Sequence, residues 1–166
     1  MEKFSLRNLL GRKTEGEKHS TRWKEPPPGT TVLIIDDSKT IVSLLKRMLQ
    51  RYGYDTLHAY DAETGIALAL HHQPSVMLLD IVLPGMDGFR AVRLLRRDSR
   101  TAHLPIVMIS GNPQAAQQFW VQKIGADDFM AKPFTEADVM EKVEKVLKRD
   151  TSADTRAGAD TEESRN

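Results

Sequence analysis

Short aliphatic runs, each followed by a helix-period segment, set the strongest limit on what this chain folds into. Val32-Leu33-Ile34-Ile35, Val76-Met77-Leu78-Leu79 and Ile106-Val107-Met108-Ile109 are continuous apolar stretches with no polar alternation. A strand of that kind has both faces buried, which requires helices above and below a mostly parallel sheet. Asp55 to Ala59 and Asp128-Phe129-Met130-Ala131 add two shorter strands.

The intervening segments carry helix signals. Ser38 is placed to cap a helix with apolar positions Ile41, Leu44, Leu45, Met48 and Leu49, and Gly53 closes it. Ala62 to Leu70 forms a second helix, stopped ahead of Pro74. The turn Leu83-Pro84-Gly85-Met86-Asp87-Gly88 leads into a third, carrying Phe89, Val92, Leu94 and Leu95. Pro113 opens a fourth running to about Ile124, and Glu136 to Lys148 is the last, with Val139, Val143, Val146 and Leu147 on one face. Right-handed crossovers then predict an α/β, doubly wound five-stranded parallel sheet of the flavodoxin-like (βα)5 type, strand order 2-1-3-4-5. Ligand chemistry in such a sheet belongs at the carboxyl ends of the strands.

The predicted folded unit spans residues 31–148. Residues 1–30 form a polar arm ending in Pro26-Pro27-Pro28-Gly29, a stiff spacer. Within it, Phe4, Leu6, Leu9 and Leu10 beside Arg7, Arg12 and Lys13 read either as a solvated tail or as one amphipathic turn. Residues 149–166 hold almost no large apolar side chain and are expected to be disordered.

Composition narrows the function classes. The 166 residues suit one domain with tails. A formal charge of +1 gives no field for steering nucleic acid or acidic membranes. No cysteine is present, which removes disulfides, thiolate zinc sites and cysteine nucleophiles and fits a reducing compartment, so a cytoplasmic location is expected. No apolar run approaches the roughly 20 residues that span a bilayer, and the opening segment lacks the apolar stretch of about 7–15 residues found in signal peptides.

Five polar positions fall at the strand ends: Asp36 and Asp37 after the first, Asp80 after the third, Ser110 after the fourth and Lys132 after the fifth. Singly each has a plain role, Asp as a helix cap or turn residue, Ser and Lys as loop residues. Together they raise an electrostatic problem. Two unit charges about 4 Å apart repel by roughly 4 kcal/mol at an effective dielectric of about 20, so three gathered carboxylates need a cation. Lys132 offsets one charge, and a hard divalent ion such as Mg2+, which prefers oxygen ligands, settles the rest. An exposed Asp nucleophile, a metal, an ammonium and a hydroxyl are the parts for phosphoryl transfer onto a carboxylate, with Asp80 as acceptor.

The segments IIDDSKT, VMLLDIVLPGMDG, IVMIS and GADDFMAKPF, within about Thr31 to Leu147, resemble the receiver domain of bacterial response regulators. The resemblance implies that Asp80 is the phospho-acceptor, and that Asp36, Asp37, Asp80 and the backbone carbonyl of Val82 hold Mg2+. It also implies that Ser110 follows the phosphate on activation, that Lys132 contacts it, and that Lys132-Pro133 is a cis bond. Phe129 occupies the family's aromatic switch position, and an ordinary core aromatic is the competing reading. Val82 and Asn112 lie where the family varies in its rate of phosphate loss, and an apolar Val82, poorly suited to positioning water, predicts a long-lived phosphoform.

The resemblance is nearest to stand-alone receivers of the chemotaxis and twitching-motility kind. It implies a histidine kinase as phosphodonor and a protein partner, from motor or pilus machinery, on the fourth helix, fifth strand and fifth helix. There Gln117, Gln118, Phe119 and Trp120 are candidate contacts, with Phe119 and Trp120 read either as outward anchors or as covered side chains. DNA binding is not expected, since no room for such a domain follows Leu147. Such a protein is not an enzyme acting on a metabolite; it catalyses its own aspartyl phosphorylation and dephosphorylation. A phosphorylation-independent interaction module is the alternative. An aspartyl-phosphate phosphohydrolase is disfavoured by Val82 in place of a second Asp, and a nucleotide-binding protein by the lack of GxxxxGK[ST].

Overall fold

Each aliphatic run divides its side chains between two apolar layers, and this division builds the domain. The computed structural model describes residues 23–112 and 124–159, with side chains described through Arg149. In chain order the elements are β1 (Thr31–Ile35), α1 (Lys39–Arg51), β2 (Asp55–Ala59), α2 (Ala62–His72), β3 (Val76–Asp80), α3 (Gly88–Arg97), β4 (Ile106–Ser110), β5 (Asp128–Ala131) and a C-terminal helix (Glu136–Ala159). The five strands pair in parallel in the order β2-β1-β3-β4-β5, as the pattern predicts. The expected helix from Pro113 to about Ile124 lies, up to residue 123, outside the described residues, as does most of the N-terminal arm.

Because side chains alternate across a strand, Leu33, Ile35, Met77, Leu79, Ile106 and Met108 fill one layer with Ala69 of α2 and Val92 and Leu95 of α3. Val32, Ile34, Val76, Leu78, Val107 and Ile109 fill the other, against Val42, Leu45 and Leu49 of α1 and Val139, Met140, Val143 and Val146 of the C-terminal helix. Full burial of each such side chain contributes about 1.5–3 kcal/mol. At Gly65 of α2, an added Cβ would collide with the Ile35 side chain, so a bare backbone lets that helix approach β1.

Helix ends follow their caps. Ser38 accepts a hydrogen bond from the Ile41 amide, Asp61 from Thr64, and Asp87 from Arg90. The second helix runs past Leu70 to His72, where Gln73 takes the left-handed conformation ahead of Pro74. In α3 the buried face is Gly88, Ala91, Val92 and Leu95, while Leu94 stands 39% exposed. The last helix continues past Lys148 to Ala159, into the stretch predicted to be disordered. Its apolar stripe stops at Leu147, but a nucleated helix extends with one hydrogen bond for each residue fixed, which that pattern does not register.

The Asp127-Asp128 pair at the start of β5 is structural. Asp127 accepts from the Ile106 amide (2.8 Å) and from Arg96 of α3 (2.9 Å). Asp128, nearly buried, accepts from the Phe129 amide (2.7 Å) and pairs with Lys142 (2.9 Å) and Lys145 (2.6 Å) of the C-terminal helix. Burial pushes the Asp128 carboxyl up, but the hydrogen bonds from Lys145 and Lys142 outweigh it and hold it below the ordinary carboxylate value. A carboxyl group lowered on folding contributes stability above its unfolded pKa and loses it as pH falls through the folded one. The urea midpoint is therefore expected to fall as pH drops below about 4. Asp128→Asn should start lower at neutral pH and show a shallower decline, and parallel pH profiles would refute the assignment.

Candidate functional site

The carboxyl ends of β1, β3 and β5 bring together the acids and the lysine singled out by the sequence. Asp36 directly follows β1 and is fully buried; Asp37 beside it is exposed. Asp80 is the last residue of β3, 5% exposed, and Ser110 is the last of β4. Both therefore end their strands rather than following them. Lys132 follows β5 and is partly buried. One carboxylate oxygen from each of Asp36, Asp37 and Asp80 lies within 4.8 Å of the others.

The ammonium of Lys132 bridges two of these acids, with Nζ 2.6 Å from Asp36 Oδ2 and 2.8 Å from Asp80 Oδ2. The second oxygens are fixed by main chain: the Ser38 amide donates to Asp36 Oδ1 (2.8 Å) and the Val82 amide to Asp80 Oδ1 (3.3 Å). Burial raises the Asp80 carboxyl above the ordinary value, Lys132 counters it, and the neighbouring Asp36 charge adds to the rise. Burial disfavours charge on Lys132, but its bonds to Asp36 and Asp80 more than compensate and raise its pKa.

Three carboxylates against one ammonium leave two negative charges when all are ionised. This all-oxygen donor set, half open to solvent through Asp37, suits a hard divalent cation that keeps some of its water. Mg2+ therefore fits the residues present.

Ser110 Oγ accepts from the Asn112 amide (3.0 Å) and donates to the Asn112 carbonyl (3.3 Å), so its hydroxyl is engaged with its own loop. The Phe129 side chain is half-buried and packs on the layer shared with α2 and α3. Lys132-Pro133 is cis. Phe119 and Trp120, with Gln117 and Gln118, lie outside the described residues.

Gly88, read in the sequence as a turn residue, has a more exacting place. Its amide donates to the Ile81 carbonyl (2.9 Å), and an added Cβ would strike the Asp80 carbonyl oxygen and come within 2.9 Å of Ile81 Cα. The α3 N-terminus is thus seated against the main chain that carries Asp80. The signal available in the sequence was a Gly right after the capping Asp87.

Comparison with known proteins agrees with this fold. A family model described as the response regulator receiver domain matches residues 32–144. Protein PilH of Pseudomonas aeruginosa is 36% identical over 116 residues, covering 70% of this chain and 96% of that protein. The DNA-binding dual master transcriptional regulator RpaA of a Synechocystis species is 39% identical over 118 residues, 71% of this chain. This chain spans about half of that regulator's length (49%). Among solved structures, a CheY-like receiver domain protein from Methanospirillum hungatei superposes with a TM-score of 0.69 at 25% identity, covering 75% of this chain and 98% of that one. The chemotaxis protein CheY4 of Vibrio cholerae gives 0.67 at 27% identity, over 70% and 98%.

Gly88→Ala should push the Asp80 main chain out of register with Asp36. We expect Mg2+ affinity, measured by calorimetric titration, to fall by about 10-fold, the lower end of what disturbing a ligand's support costs. Unchanged affinity would show that the close approach does not position Asp80.

Proposed function

The chain belongs to the response regulator receiver domain family of two-component signalling proteins, and from that premise we propose that Asp80 is the residue that takes the phosphoryl group. The observation that carries this reading is the Lys132 ammonium held between Asp80 and Asp36 within a cluster of three carboxylates. An Asp80 carboxylate oxygen attacks the phosphorus of a phosphohistidine donor; the oxygen–phosphorus bond forms as the phosphorus–nitrogen bond breaks, and the imidazole leaves with a proton from water.

Asp36, Asp37, Asp80 and the main-chain carbonyl of Val82 would hold Mg2+, which when bound supplies positive charge against the phosphoryl oxygens. Lys132 exchanges its bond to Asp80 Oδ2 for one to a phosphoryl oxygen, keeping Asp36 as its anchor. The Ser110 hydroxyl leaves Asn112 for another of those oxygens, and Phe129 repacks on the α2 and α3 side as a two-state element.

In this reading a histidine kinase is the donor, and the protein catalyses its own phosphorylation and dephosphorylation rather than turning over a metabolite. Residues 31–148 form the receiver unit. Output passes through protein contacts on the segment 113–124, β5 and the C-terminal helix, with pilus or motor machinery as the proposed class of partner. Among the described residues no helix is long and apolar enough to cross a membrane, which accords with a proposed cytoplasmic location.

The test is phosphorylation by acetyl phosphate with Mg2+, read as intact mass. Wild type should gain one phosphoryl group, and Asp80→Asn or chelation of the metal should reduce labelling to background. Labelling of Asp80→Asn at the wild-type level would move the acceptor elsewhere, and an unlabelled wild type would favour the phosphorylation-independent module.

Exposed, apolar Val82 (67%) offers no polar group to align an attacking water on the phosphoryl group. The phosphoform should therefore persist for minutes or longer after donor removal, and Val82→Glu should shorten it several-fold. Decay of the wild type within seconds would contradict this account.

A further inference from the structure

The outer face of α3 carries three arginines that the fold does not use. Arg90, Arg93 and Arg97 are exposed, and Leu94, 39% exposed, lies beside them. At 100° per residue the four positions share an arc of about 100°, and Arg90 to Arg97 spans about 10 Å along the axis. The buried positions Ala91, Val92 and Leu95 occupy the opposite side.

Several other cations of the domain have acidic partners: Arg51 with Glu136, Arg96 with Asp127, Arg100 with Asp98, Lys148 with Glu144. Among the described residues Lys46 and Arg47 of α1 do not, but they do not form a row of three on one face. Among the described residues, Arg90, Arg93 and Arg97 have no ion pair or side-chain hydrogen bond. The helix also contains no lysine, the commoner residue where a side chain serves only solvation. Guanidinium groups present planar forks that match carboxylates, are weakly hydrated, and are enriched where proteins meet.

We infer that this arginine-leucine stripe on α3 docks an acidic amphipathic helix of a protein partner, with carboxylates at three- and four-residue spacing around an apolar residue. Charge complementarity selects the occupant. A ladder at i, i+3 and i+7 matches the spacing on one face of a second helix, and Leu94, at one edge of the arc, supplies the apolar contact. A membrane surface would call for a broader apolar face than one leucine, and nucleic acid for a larger positive field than a chain of net charge +1 provides. The inference stands independently of phosphoryl transfer at Asp80.

The experiment is fluorescence anisotropy of the full chain with a labelled synthetic helical peptide that has Glu at that spacing around Leu. A scrambled peptide of the same composition should bind several-fold more weakly. R90E/R93E/R97E, at surface positions and checked for folding by circular dichroism, should weaken binding by at least about 10-fold. R90K/R93K/R97K should lose about 3-fold, because charge remains without the fork. Arg51→Ala, outside the stripe, should change nothing.

Absence of binding, equal binding by the charge-reversed variant, or equal binding of the scrambled peptide overturns the inference. So does tighter binding to phosphatidylglycerol vesicles or duplex DNA, lost in the same variant. Neutralising the acidic end of this chain with D160N/E162Q/E163Q should leave the affinity unchanged; a gain of about 10-fold would make that segment the occupant and overturn the external partner.

Discussion

The Lys132 ammonium set between Asp36 and Asp80 is the interaction on which the site depends. It joins the ends of β1, β3 and β5, which are far apart in sequence and brought near only by the parallel sheet. Two buried carboxylates facing each other without it would repel strongly, and the strand ends would have to part or a proton be taken up. The same ammonium limits the compensation, because it balances one charge and leaves room for a divalent ion.

Around that contact the support is mostly main chain. Ser38 and Val82 amides hold the outer oxygens of Asp36 and Asp80, and Gly88 allows α3 to lie directly against the Asp80 carbonyl. Backbone donors fixed by helix starts and strand ends lose little entropy in forming these bonds, so the acids sit in one arrangement. On the far side, Asp127 and Asp128 fasten β5 to α3 and to the C-terminal helix, which keeps the strand bearing Lys132 in register.

Much of this was legible in the sequence, for identifiable reasons. Runs such as Val76 to Leu79 have one stable solution, two apolar layers, so the sheet and its winding followed from pattern. Asp36, Asp37, Asp80 and Lys132 were legible because each sits at a strand end and the topology gathers strand ends. Contacts that depend on three-dimensional closeness were not. The collision that reserves Gly88 for glycine involves residues on two different elements, and the pairing of Asp128 with Lys142 and Lys145 needs the helix in place. Leu94 reads as apolar like its neighbour Leu95, but one step along a helix turns a side chain by 100°, which puts the first outside and the second in the core. The extension of the last helix to Ala159 has no apolar periodicity to reveal it.

The winding of the chain has a consequence of its own. β1 and β3 are neighbours, yet the chain leaves β1 for the side packed by α1 and leaves β3 for the side packed by α3. Two exits that diverge over adjoining strands part the loops above them, so the hollow holding the acids arises from connectivity rather than from the side chains that fill it. A chain of this winding that lost its acids by mutation would still present the hollow, and so the shape of such a domain can outlast its chemistry.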